Sequence, residues 1–236
     1  MKQFKLMMLG LALSAGFTTQ TQAQEAQSFV HQQSNTEDYV WPTDPQVLTK
    51  LKHWQDQKFG VLMHWGLYSV PGIVESWSIC SEDWIVRERK PTYEEDKAWY
   101  WSQKDSLNPV NFDPSKWADV MKKAGMKYMI FTTKHHDGFC MFDTKYTDFS
   151  IAHGPFGKDP RHNIAKEVFD AYRNKGFMIG CYFSKPDWHS KWFWNPYYAT
   201  PNRRINYKKK QHPDWWQNYR KFTQNQLNEL TTDYGN

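Results

Sequence analysis

The chain has 236 residues, with 30 lysines and arginines against 25 aspartates and glutamates. Its formal charge of +5 falls to +3 once residues 1–23, which hold Lys2, Lys5 and no acid, are set aside. So small an excess, with the basic cluster Arg203, Arg204 and Lys208 to Lys210 lying among polar loop residues, argues against a nucleic-acid partner. Three widely spaced cysteines, Cys80, Cys140 and Cys181, exclude a disulfide scaffold and lack zinc spacing, so each is expected as a small buried residue.

Residues 1–23 combine Lys2 and Lys5, an apolar core from Leu6 to Gly16, and a small-residue exit at Thr21-Gln22-Ala23. That is the pattern of a secretory signal peptide. The apolar stretch is too short to cross a bilayer and no later run is longer. An exported, soluble chain beginning at Gln24 is expected.

The first predicted strand is KFGVLMHWG, Lys58 to Gly66, apolar and ending in polar and aromatic residues. A long excursion follows, carrying ESWS at Glu75 to Ser78. Asp113-Pro114 then starts a helix whose buried face is predicted at Trp117, Val120, Met121 and Ala124, and Gly125 closes it. The next strand runs from Lys127 through YMIF, with Thr132 and Thr133 adding β-branched residues suited to a pleated surface. It stops at His135, His136, Asp137 and Gly138. A second helix carries the stripe Ile164, Val168, Ala171 and Tyr172, Gly176 ends it, and FMIGCYFS from Phe177 to Ser184 is the third strand. The last helix starts near Pro213, with Trp215, Tyr219, Phe222, Leu227 and Leu230 as its buried stripe, and ends by Gly235.

A helix ending at glycine with an apolar strand almost directly behind it is the rhythm of α/β proteins with parallel strands. A full (β/α)8 barrel needs eight such units and typically about 250 residues. Three strands in the 213 residues after position 23 predict an incomplete barrel; the alternative is an independent three-stranded domain, whose sheet edges would stay unpaired.

Parallel strands point their C-terminal ends at one face, so residues just after each strand meet there. The set is His64 and Trp65 from the first, His135, His136 and Asp137 from the second, and Tyr182, Ser184, Asp187 and Trp188 from the third. Imidazoles and a phenol make directional hydrogen bonds, and indole faces pack on apolar sugar faces. The mixture suits a polyhydroxylated ring, and Glu75 in ESWS is placed to join it. Bland readings stand beside this one. Trp77, Trp188, Trp192 and Trp194 suit plain packing, Tyr182 suits a core, and Asp137 with Gly138 suits a capped turn. A metal reading would use His64, His135 and His136, but adjacent strand residues point to opposite faces and one of the pair should miss.

Through FGVLMHWGLYSVPG, ESWS, KHHDGFCMFDTKYTDFS and YFSKPDWHS the chain resembles the α-L-fucosidases of glycoside hydrolase family 29, over nearly everything from Trp54 to Gly235. The resemblance implies an α/β, TIM-like barrel followed by a β-sandwich. Residues 51–236 would hold the first three βα units of an incomplete (β/α)8 barrel, after an N-terminal extension at 24–50. It implies that His64, His135, His136 and Tyr182 hydrogen-bond fucose hydroxyls, with Glu75 and Trp77 at the same subsite. The nucleophilic aspartate would end a fourth strand and the acid/base would come later, both beyond Asn236. Catalysis would be retaining, releasing terminal α-L-fucose from a fucosylated glycan, with no metal or organic cofactor. One departure is local: where family members often carry Arg-Asp, this chain has Arg161-His162-Asn163. Three rival expectations remain: a non-catalytic fucose-binding remnant, a metal-dependent hydrolase, and a shortened enzyme using Glu75, Asp137 or Asp187.

Overall fold

The computed structural model describes residues 40–80, 92–199 and 202–235; the expected signal peptide lies outside them. The chain divides into two units, residues 1–55 and 56–236. What is described of the first is helix α1, Pro45–Asp56, whose last residue falls in the second unit and none of whose residues is buried. Asp44 accepts from the backbone N–H of Gln46 at 2.7 Å and caps it.

The second unit is built on three parallel strands in the order β1 (Gly60–Met63), β2 (Tyr128–Lys134) and β3 (Met178–Phe183). Each lies inside its predicted range. Between β1 and β2 run helix α2, Tyr93–Ser102, and helix α3, Pro114–Lys123. Helix α4, Ile164–Asn174, joins β2 to β3, and α5, Pro213–Thr232, closes the order. Asp113, the expected start of α3, accepts from Lys116 N–H, and Asn163 caps α4 by accepting from Lys166 N–H. Helix α2 lies within the long excursion, where Thr92 and Glu95 form a complete capping box at its start. No helix among the described residues is long and apolar enough to cross a membrane.

The core lies between the sheet and α4. Phe131 on β2 meets Phe169 on α4 edge to face, ring centres 6.3 Å apart, and Met129, Ile164, Val168, Tyr172 and Phe177 are buried around them. Three expected faces need correction. On α3, Ala118 is buried with Trp117 and Met121 packed inward, whereas Val120 is 61% exposed and Ala124 is also exposed; the helix is turned towards Ala118, because only that side meets α4. On α5, Leu227 is 38% exposed and Gln226 and Glu229 are buried in its place. Those two polar residues bond across to Lys134, Thr144 and the Lys145 N–H, and such bonds decide which side of the helix turns inward. On α4 the buried set is Ile164, Ala165, Val168, Phe169 and Tyr172, with Ala171 only half-buried. Cys80 and Cys140 are buried as expected, but Cys181 is exposed, since β3 is the edge of this sheet.

Candidate active site

At the C-terminal end of β2 the pairing slips: Thr132 faces Tyr182, yet Lys134 faces Phe183, one residue early. A slip of this kind reverses which face each following side chain takes. Phe131 packs on α4 and Thr132 bonds the His64 ring; strict alternation would then put Lys134 beside His64. Instead Lys134 is buried with its Nζ 3.1 Å from Asp187 Oδ2 and 2.9 Å from Gln226 Oε1, and His135 is delivered to the His64 side. The ring centres of His64 and His135 are 5.7 Å apart, and Tyr182 stands 4.9 Å from the first and 5.8 Å from the second.

Two hydroxyls orient the imidazoles. Thr132 Oγ1 donates to the Met63 carbonyl at 3.2 Å and sits 2.7 Å from His64 Nδ1. The contact holds the His64 ring by Nδ1 and leaves Nε2 as the nitrogen not engaged by Thr132. Ser76 Oγ is 2.5 Å from His135 Nδ1. Glu75 reaches the cluster from the excursion: its Oε2 is 3.5 Å from His135 Nε2 and accepts from Trp77 Nε1 at 3.0 Å. It does so with φ of +46°, a left-handed conformation that costs a non-glycine residue about 1–3 kcal/mol.

His136 packs beside His135, ring centres 4.5 Å apart, and against two tryptophans. Its ring lies 5.0 Å from Trp77 and 4.9 Å from Trp188, and its buried Nδ1 has no hydrogen-bond partner among the described residues. The guanidinium of Arg203 sits 5.0 Å from the Trp77 ring centre, which ties one residue of the solvated basic loop to this wall. Trp188 stacks on Trp194 and donates to the Arg203 carbonyl at 3.3 Å; both indoles are buried and serve as packing.

Burial, followed by the neighbouring His136 and His64, pushes His135 down to about 3; burial and then Arg203 push His136 down to about 4. Both are therefore neutral near pH 7, able to donate and accept. The two aspartates raised as catalytic alternatives are committed elsewhere. Asp137 Oδ2 accepts from Tyr100 at 2.6 Å and its Oδ1 from Phe139 N–H at 2.9 Å, and burial raises its carboxyl to about 6. Asp187 pairs with Lys134 and accepts from the backbone N–H of His189 and Ser190. Asp137 is the turn cap, with Gly138 at φ +85°.

A side chain at Gly138 would need the left-handed backbone and would collide with Asp187 Oδ1 and come within 2.8 Å of His189 Cβ. Gly138→Ala should therefore lower stability by about 2 kcal/mol or more, read as the midpoint of urea unfolding; an unchanged midpoint would mean the turn can re-form.

The expected residues His64, Glu75, Trp77, His135, His136 and Tyr182 thus lie in one continuous group. Within it the possible metal ligands are His64, Glu75 and His135, one donor atom of each within 4.8 Å of the others. This corrects the trio expected for a metal, since His136 faces the tryptophans. Thr132 and Ser76, which orient the rings, are not among the expected site residues; both stand beside them in sequence, but only their contacts reveal the task.

The α-L-fucosidase family model matches residues 26–236. The chain belongs to the α-L-fucosidase family. It is 31% identical over 155 residues to the human plasma α-L-fucosidase, an alignment covering 59% of this chain and 30% of that one. Among solved structures it resembles α-L-fucosidase isoenzyme 1 from Paenibacillus thiaminolyticus, at 35% identity and TM-score 0.58, over 78% of this chain and 40% of that one. It also resembles a GH29 α-L-fucosidase from Bacteroides thetaiotaomicron, trapped as a covalent intermediate in complex with 2-fluoro-fucosyl fluoride, at 32% identity and TM-score 0.60, over 85% and 41%. This fucosidase-family chain therefore spans under a third of the human relative's length and about two fifths of those structures.

Proposed function

We propose that this chain supplies the fucose-holding part of an exported, retaining α-L-fucosidase, and that its three strands are the first three βα units of a (β/α)8 barrel. The observation that carries the reading is the convergence of His64, His135, Tyr182 and Glu75 at the C-terminal end of a parallel sheet, where such barrels bind substrate. His64 and His135 offer ring nitrogens to sugar hydroxyls, His136 has a buried ring nitrogen that a ligand hydroxyl would satisfy, and Trp77 offers a wall. A sugar bearing several hydroxyls and one apolar face matches these groups. Residues 1–23 support export, and the covalent intermediate trapped in the Bacteroides relative supports double displacement.

In a retaining glycosidase two carboxylates stand about 5–5.5 Å apart, one attacking the anomeric carbon and one protonating the leaving oxygen. Here Asp137 and Asp187 are buried in hydrogen bonds, and Glu75 alone of these three faces the histidines. We assign neither the nucleophile nor the acid/base to these three residues. The 236-residue chain should bind L-fucose without turning over an aryl α-L-fucoside. Isothermal titration should show saturable binding of L-fucose that His135→Ala weakens by about ten-fold, the scale of one lost ligand hydrogen bond at a desolvated site. Hydrolysis abolished by Glu75→Gln would overturn the placement of the catalytic groups; fucose affinity indifferent to His135→Ala would overturn the sugar site.

A further inference from the structure

We propose that His64, Glu75 and His135 also form a capture site for a divalent zinc ion. Two imidazoles and one carboxylate are a donor set zinc takes with water in the fourth place. Donors bonded to one tetrahedral zinc at 2.0–2.1 Å stand about 3.4 Å apart. His135 Nε2 and Glu75 Oε2 already stand 3.5 Å apart, and His64 completes the trio within 4.8 Å. No other three histidine, cysteine or acidic residues among those described come so close together.

The surroundings are those of a metal site and not of three residues met by chance. Ligating histidines characteristically have their second ring nitrogen held by a hydrogen bond that sets tautomer and ring direction. Both have it here: Thr132 Oγ1 on His64 Nδ1 and Ser76 Oγ on His135 Nδ1. Trp77 Nε1 holds the carboxylate in turn. The left-handed φ of Glu75 aims its carboxylate at the imidazoles, and its side chain keeps a third of its surface open to solvent, leaving a way in.

The ion would occupy the atoms assigned above to the sugar. Zinc and fucose are then mutually exclusive, a consequence that rests on the proposed sugar site, whereas the metal site itself does not. Zinc would act as an inhibitor that closes the site, with no part in the chemistry.

Titrating the chelator-washed 236-residue chain with zinc chloride tests this. One zinc per chain is expected, with affinity reduced at least ten-fold in Glu75→Gln and in His64→Ala. Thr132→Val leaves all three ligands in place and should still weaken zinc about ten-fold, the scale of a lost orienting hydrogen bond. Circular dichroism establishes that each variant is folded; Glu75→Gln, a near-isosteric loop change, is the deciding variant if another is not. No uptake, or uptake indifferent to Glu75→Gln and His64→Ala, would overturn the site. Zinc that depends on both residues but is not displaced by saturating L-fucose would uphold the metal site and refute the sugar reading at these atoms.

Discussion

Replacing Lys134 by alanine should destabilise the folded chain by about 3–5 kcal/mol, the cost of removing one partner from a buried ion pair. The side chain is 0% exposed, and its ammonium touches Asp187 and Gln226 and lies 4.3 Å from the Phe183 ring centre and 5.2 Å from that of Phe222. Alanine leaves a cavity against those rings, strands the Gln226 carbonyl, and deprives Asp187 of its cation; the backbone N–H groups of His189 and Ser190 compensate only in part. The measurement is urea unfolding with extrapolation to water. The pair Lys134→Met with Asp187→Asn separates charge from packing: it keeps the volume and the acceptor for both N–H groups, and should recover most of the loss, since replacing both partners of a buried pair is far cheaper than removing one. A loss under about 1 kcal/mol for Lys134→Ala would show that the ammonium reaches water. The same pair connects β2, the loop after β3 and α5 directly beside His135. The alanine variant should therefore also weaken L-fucose, even under conditions where the chain remains folded.

Acid should begin to destabilise the metal-free chain well above the pH at which ordinary carboxylates titrate. His135 and His136 are depressed to about 3 and 4 from an unfolded value near 6.5. The unfolded chain thus binds two protons that the folded one refuses, and stability is lost as pH falls from about 6.5. Asp137 works against them: its carboxyl is raised to about 6, so the folded chain takes that proton first and gains stability on the way down. Between about pH 6 and 4 the balance is one proton, so stability should fall by about 1.4 kcal/mol per pH unit. The charged and titratable groups around the pair are His64, Glu75, Tyr68, Tyr182 and Arg203. Asp113 and Asp159, lowered by hydrogen bonds to Lys116 and Arg161 respectively, act in the same direction only at more acid pH. His135→Asn removes one of the two refused protons and should flatten the dependence across this window. Stability that stays constant or rises from pH 6 to 4 in the unchanged chain would contradict the burial of the two imidazoles.

Much of the fold was legible because its signals are local. Asp113-Pro114, Gly125 and Gly176 act on the backbone of their neighbours, and the alternation of helix, glycine and strand leaves few topologies other than a parallel sheet. The proximity of His64, His135, His136 and Tyr182 was legible for a related reason: in a parallel sheet it follows from standing at the end of a strand, which a sequence displays, whereas Glu75 and Trp77 were placed only by the ESWS motif. What remained out of reach depends on partners distant along the chain. The one-residue slip after Thr132 sends Lys134 to Asp187 and Gln226 and His135 to His64, and nothing in YMIFTTKHH distinguishes that outcome from strict alternation. Gln226 displaces Leu227 from the buried face of α5 because a buried ammonium needs a second acceptor more than a leucine needs burial.

By itself, then, the sequence determined the three strands and the three helices that alternate with them, their parallel order and the residues gathered at one end of the sheet, since those follow from short-range backbone preferences and hydrophobic period; the helices at Pro45–Asp56 and Tyr93–Ser102 were not foreseen. Tertiary structure alone decided which histidine joins His64 and Glu75, which aspartates are committed to the scaffold, and which polar residues are buried. Those outcomes turn on hydrogen bonds and charge pairs between segments as much as ninety residues apart, whose energies exist only once the chain has closed around them.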